Sequence, residues 1–204
     1  TVSHKWDFVG HDGDPGGDGH GSEVLSVLAA NVPGTMMGAA PHAEYLLART
    51  EIINDTDVRA EEDYWVAGLE WADSLGTDIV NSSVGYTDFA DGTSYSYSDL
   101  DGETAVTTVA ADIAVDKGMT VVVSAGNEGD DPWYYVVTPA DGKRVIAVGS
   151  VRLNQDQSVS VSSFSSRGPT FDGRIKPDFV AMGENVRMIN ISGSTYTYKN
   201  GTSY

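Results

Sequence analysis

Three short segments hold side chains that together could attack a carbonyl carbon. His20, in Asp18-Gly19-His20-Gly21-Ser22, can take a proton at neutral pH. Ser203, in Asn200-Gly201-Thr202-Ser203, carries a hydroxyl that becomes a nucleophile once a positioned base removes its proton. Asn127, in Ser124-Ala125-Gly126-Asn127-Glu128-Gly129, has an amide that can donate to an oxygen gaining negative charge, and the glycines beside it leave room for close approach. Each has a plainer explanation by itself. An isolated histidine at a helix start usually finds a nearby carbonyl, and Asn-Glu-Gly and Asn-Gly-Thr-Ser are turn-forming strings wherever they occur. The combination of a base, a nucleophile and an oxyanion donor changes the balance.

The elements around these segments follow a regular order. His11 to Gly19 is dense in glycine and aspartate and reads as loop. Gly21 to Ala30 has Val24, Leu25, Val27 and Leu28 at helical spacing, which puts His20 at a helix N-terminus. Ala43 to Thr50 suits a buried strand, Glu61 to Leu75 a helix stopped at Gly76, and Asp78 to Ser82 another strand. Thr104 to Lys117 reads as a helix closed by Gly118, and Met119 to Val123 as a strand covered on both faces. Val145 to Val151 and Ser158 to Ser163 are strand-like, and Val186 to Ile191 with Thr195 to Tyr198 reads as a hairpin. Alternating strands and helices predict an α/β fold: a three-layer, mostly parallel, doubly wound sheet with helices on both faces, in one domain over residues 1–204. Ligands of such sheets bind beyond the carboxyl ends of the strands, where Ser83-Val84-Gly85 and Ser124 to Gly129 fall.

Composition narrows the function. Acidic residues outnumber basic ones 30 to 12, for a formal charge of -18, which repels phosphate backbones and argues against nucleic acid. The absence of cysteine excludes a thiol nucleophile, disulfides and cysteine-ligated zinc. No Gly-x-Ser-x-Gly elbow occurs, which argues against a lipase or esterase. No apolar run is long enough to span a bilayer, and Thr1 to Gly10 has no signal-peptide pattern.

The three segments, in this order, resemble the signatures of the subtilisin-like serine proteases. Similarity extends over Asp78 to Gly85, Thr138-Pro139-Ala140, Val145 to Ser150, Phe164 to Pro169 and Asp172 to Asp178, nearly the whole chain. The resemblance implies a serine endopeptidase acting on polypeptides, with Ser203 as nucleophile, His20 as general base and later acid, and Asn127 as oxyanion donor. It implies that Ser83-Val84-Gly85 and Ser124-Ala125-Gly126 wall the pocket for the residue before the cut bond. Val137 would stand at its floor, where relatives often have glycine, making a shallow pocket for small or medium apolar side chains. No cofactor is expected for the chemistry; structural calcium, as in many relatives, is possible without assignable ligands, and secretion or a periplasmic location is implied.

The family's catalytic aspartate lies in an Asp-Thr-Gly or Asp-Ser-Gly motif, and neither occurs in the 204 residues. Asp7, Asp12, Asp14 and Asp18 sit in loop-like sequence too near His20 to be nominated. The expectation is therefore a catalytic domain truncated at both ends, with the acid before Thr1 and the helix that follows the nucleophile beyond Tyr204. Such a chain would be weakly active or inactive alone and prone to self-association. The alternatives are a degenerate, peptide-binding domain of the same fold and a calcium-binding module built on the Asp12, Asp14 and Asp18 loop.

Overall fold

The computed structural model describes residues 1–17, 19–53, 56–192 and 195–204. In chain order the elements are β1 (Val2–Asp7), α1 (His20–Ala29), β2 (Asn31–Val32), β3 (Met36–Met37), β4 (Tyr45–Arg49), α2 (Arg59–Ser74) and β5 (Ile79–Ser82). A 3₁₀ turn at Tyr97–Asp99 precedes α3 (Val106–Asp116), β6 (Thr120–Ser124), β7 (Ile146–Leu153), β8 (Val159–Val161), β9 (Phe179–Met182), β10 (Val186–Ile189) and β11 (Tyr196–Lys199). The main sheet runs β5-β6-β7-β8, with β9 also on β7; every pairing in it is parallel except β7 with β8. A parallel pair, β1 with β4, forms a second small sheet, and β10 and β11 form the expected hairpin.

Period-two alternation along β6 places the helices. Val121 and Val123 are buried in the main core with Trp65 and Leu69 of α2 and Ala111 and Ala114 of α3. Val122, pointing the other way, shares a cavity with Val24, Val27 and Leu28 of α1. Helices therefore cover both faces of the sheet, as the sequence pattern requires. Complete burial of each such valine or leucine contributes ~1.5–3 kcal/mol relative to exposure. Both predicted helix stops form as drawn. Gly76 (φ 77°) donates to Asp73 O while Thr77 donates to Ala72 O, and Gly118 (φ 107°) donates to Val115 O while Met119 donates to Ala114 O. These are paired bonds that a left-handed glycine makes possible and that satisfy the last helical carbonyls before the chain turns into β5 or β6.

The structure corrects the reading of Asp7 as loop. Asp7 is the last residue of β1 and is buried, with Oδ1 accepting from the amides of Val9 and Gly10 (both 2.8 Å) and Oδ2 from Arg49 Nη1 at 2.9 Å. Burial opposes ionisation here, but the two amides and the guanidinium together hold the carboxyl below its ordinary range. β1 carries no strand signal because five of its six residues are exposed, so nothing forces apolar alternation. β9, exposed along all four residues, and the two-residue strands β2 and β3 also escape the sequence pattern. Among the described residues, no helix is long and apolar enough to cross a membrane.

Candidate active site

The site lies where β5, β6 and the end of β11 converge with the start of α1. The loop that delivers His20 is braced from β4, because Arg49 reaches both Asp7 and, at 3.2 Å, Gly16 O. Gly19 (φ 95°) then turns the chain into α1, and a β-carbon there would come within 2.2 Å of Ile191. His20 is the first residue of the helix. Its ring lies edge-on to that of Tyr204, centroids 5.8 Å apart. Asp18 lies outside the described residues.

Ser203 is held by contacts on both sides. Upstream, Asn200 Oδ1 accepts from Asn185 N at 2.8 Å, and Gly201 N donates to Gly183 O at 2.9 Å. Thr202 donates to Asn127 Oδ1 from its backbone amide (2.9 Å) and its hydroxyl (3.1 Å), while its hydroxyl oxygen accepts from Gly126 N at 3.3 Å. With the carbonyl end of Asn127 engaged by Thr202, the planar amide presents its NH₂ end away from that residue. Ser203 and Ser83 are cross-linked: Ser83 Oγ donates to Ser203 O at 2.9 Å, and Ser203 Oγ donates to Ser83 O at 3.3 Å. In this conformation the Ser203 hydroxyl points to Ser83 O, and turning its proton toward a base takes rotation about the Cβ–Oγ bond.

The two predicted pocket walls face each other across Val137. A β-carbon on Gly85 would come within 2.3 Å of Val137 Cγ2, and one on Gly126 (φ 107°) within 3.0 Å of Val137 Cγ1. The valine is buried and fills the space the two glycines leave. Val137 N donates to Ala125 O at 3.1 Å, and Tyr86 N donates to Thr138 O at 3.0 Å, so the floor is stitched to both walls. Gly126 has its amide on the Thr202 hydroxyl and its carbonyl on Ser166 N.

Reasoning from the sequence alone gave no role to Thr202, which aims Asn127, or to Glu23 and Tyr204. Glu23 is buried one turn after His20, with Oε2 accepting from Lys199 Nζ (2.8 Å) and Tyr204 Oη (3.4 Å). Its spacing of three from His20 was the available signal.

A group of carboxylates lies beyond the pocket wall. Among the described residues, Glu51, Asp57 and Glu61 bring one oxygen each within 4.8 Å of one another. Oxygen donors of this kind suit calcium, but the group fits it poorly. Both Glu61 oxygens accept backbone amides, from Ile52 (2.7 Å) and Val58 (2.6 Å), and Glu51 Oε1 accepts the hydroxyls of Thr50 (2.7 Å) and Tyr86 (2.8 Å). Burial pushes Glu51 up to about 7, opposed by the two hydroxyls and reinforced by Glu61 and Asp57; burial and the neighbouring carboxylates raise Asp57 to about 6. Nor does the Asp12 and Asp14 loop gather its carboxylates: Asp12 Oδ1 accepts from Asp14 N and Asp14 Oδ1 from Gly16 N, local turn bonds.

The fold is an α/β architecture with the candidate nucleophile and oxyanion donor on loops near the strand ends. The chain belongs to the subtilase family, whose family model matches residues 1–204. It is 32% identical over 200 residues to subtilisin E of Bacillus subtilis, covering 96% of this chain and 45% of that protein. It is 31% identical over 172 residues to the minor extracellular protease Vpr of the same organism, covering 79% and 19%. The solved S41 psychrophilic protease superposes with a TM-score of 0.75 at 25% identity, over 99% of this chain and 65% of that one. The chain thus spans less than half the length of these two curated relatives.

A raised carboxylate favours the folded state while protonated. The contribution of Glu51 is complete below its unfolded value of 4.5 and is lost as pH rises toward about 7. Glu51→Gln removes that titration, so between about pH 5 and pH 8 the variant should lose roughly 1 to 3 kcal/mol less stability than the parent. Thermal melts at the two pH values measure this; parallel losses in both proteins would show that Glu51 is not the titrating group.

Proposed function

We propose that the protein is a serine endopeptidase in which His20 takes the Ser203 proton, Ser203 Oγ adds to the peptide carbonyl, and Asn127 Nδ2 donates to the resulting oxyanion. The protonated His20 then gives its proton to the leaving amine, and water repeats the sequence on the acyl-enzyme. The observation that carries this reading is the Thr202 bridge, which ties the carbonyl end of Asn127 to the residue preceding Ser203. Such a tie preorganises a donor beside the attacking atom, which is where transition-state charge appears. The aspartate that completes such a triad, by orienting His20 and stabilising it when protonated, is assigned to none of these residues, because no Asp-Thr-Gly or Asp-Ser-Gly motif occurs among them. Resemblance to an extracellular protease supports secretion.

The substrate is an extended polypeptide paired with Ser83-Val84-Gly85, its side chain before the cut bond resting on Val137. The bond from the Ser203 hydroxyl to Ser83 O is the observation behind a second reading, a domain that binds peptides without cutting them. A fluorophosphonate probe separates the two. The full-length protein should be labelled, and Ser203→Ala should abolish labelling; a folded, unlabelled full-length protein that still binds peptides would establish the second reading.

Pocket depth is tested by a peptide-library cleavage profile. The parent should cut after small and medium apolar residues, and Val137→Gly should raise kcat/KM after phenylalanine or tyrosine about tenfold or more. A parent profile already dominated by large aromatics would overturn the assignment of Val137.

A further inference from the structure

We propose that Glu23 is a positioning residue that locks the histidine-bearing helix to the segment carrying Ser203, acting through Lys199 and Tyr204. This rests on the reading of His20 and Ser203 as base and nucleophile. Glu23 is 2% exposed and lies one turn after His20, on the same side of α1. A single carboxylate oxygen accepts from Lys199 Nζ at 2.8 Å, the firmer contact, and from Tyr204 Oη at 3.4 Å. Lys199 ends β11 and Tyr204 follows Ser203, so the two donors bracket the loop Asn200–Ser203 on either side. The Tyr204 ring in turn lies edge-on against His20. One buried charge therefore touches both ends of the nucleophile loop and, through a ring, the imidazole.

An acidic residue in a first helical turn is usually explained by the helix dipole, and a buried ion pair by stability. Neither accounts for this arrangement. A residue serving the dipole gains nothing from burial, which costs the carboxylate its hydration. Anchoring of α1 to the hairpin does not require Glu23 either, because Ser26 Oγ donates to Glu23 O at 2.7 Å and accepts from Ile189 N of β10 at 3.1 Å, whatever side chain stands at position 23. What Glu23 adds is a fixed relation between the helix start and the strand end, the two places from which base and nucleophile must meet within a hydrogen bond.

The test uses the full-length protein, a peptide amide substrate and the rate of fluorophosphonate labelling, with active sites counted by burst titration. Replacing the pair by apolar side chains of similar volume, Glu23→Leu with Lys199→Met, avoids leaving a lone buried charge and should melt near the parent. Its kcat per active site and its labelling rate should fall about 10- to 100-fold, with KM within about twofold. Lys199→Arg, which keeps the charge, should stay within about twofold of the parent in both rates. A double variant that melts normally and keeps the parental kcat and labelling rate overturns the proposal. If the double variant does not fold, Glu23→Gln decides: a several-fold loss of kcat at unchanged KM supports the lock, and parental rates refute it. A parent that is never labelled would instead defeat the reading of Ser203 itself, and this inference with it.

Discussion

The site depends on one hydrogen-bonded junction, the pair of bonds from Thr202 to Asn127 Oδ1, which joins segments 75 residues apart in sequence. Without it the end of β6 and the loop after β11 would meet only through weaker or more distant contacts. With it, an amide donor and a serine hydroxyl sit on adjacent loops. The Ser83–Ser203 cross-link adds the end of β5 to the same junction, so three elements converge on one short stretch of chain.

The rest of the fold serves that convergence. Parallel β5, β6 and β7 place their carboxyl ends at one edge, and the alternating valines of β6 lock the sheet between α2 and α3 on one side and α1 on the other. Gly76 and Gly118 end α2 and α3 abruptly enough for the next strand to begin within a few residues, which keeps the loops at the opposite edge short. The Asp7–Arg49 pair extends the same logic to His20: a buried carboxylate at the end of β1 fixes an arginine that also holds the glycine-rich loop.

Much of this was legible in the sequence because it follows from period. The helical stripes, the apolar run at Val121 to Val123 and the two glycine stops each have a local cause, and each appears within a few residues of its expected bounds. Asn127 and Ser203 were legible as residue types in loops, His20 as a residue at a helix start, and Val137 as a bulky residue where a small one is usual. What the sequence could not show are relations set by packing. β1 and β9 lack a buried face in this chain, so they leave no pattern. Thr202 looks like any turn threonine until its partner is known, and Glu23 looks like a helix-start acid until its burial is seen. The Glu51, Asp57 and Glu61 group likewise combines residues from a strand end, a loop and a helix that only the fold brings together.

The central claim is that Asn127 and Ser203 form one site that stabilises a tetrahedral adduct. The most direct measurement is a crystal structure of the full-length protein with a peptide boronic acid carrying alanine at the reacting position. The account predicts boron bonded to Ser203 Oγ, with one boronate oxygen within hydrogen-bond distance of Asn127 Nδ2 and the alanine methyl resting on Val137. An adduct on another residue, or on Ser203 with its oxygens turned away from Asn127, would contradict it.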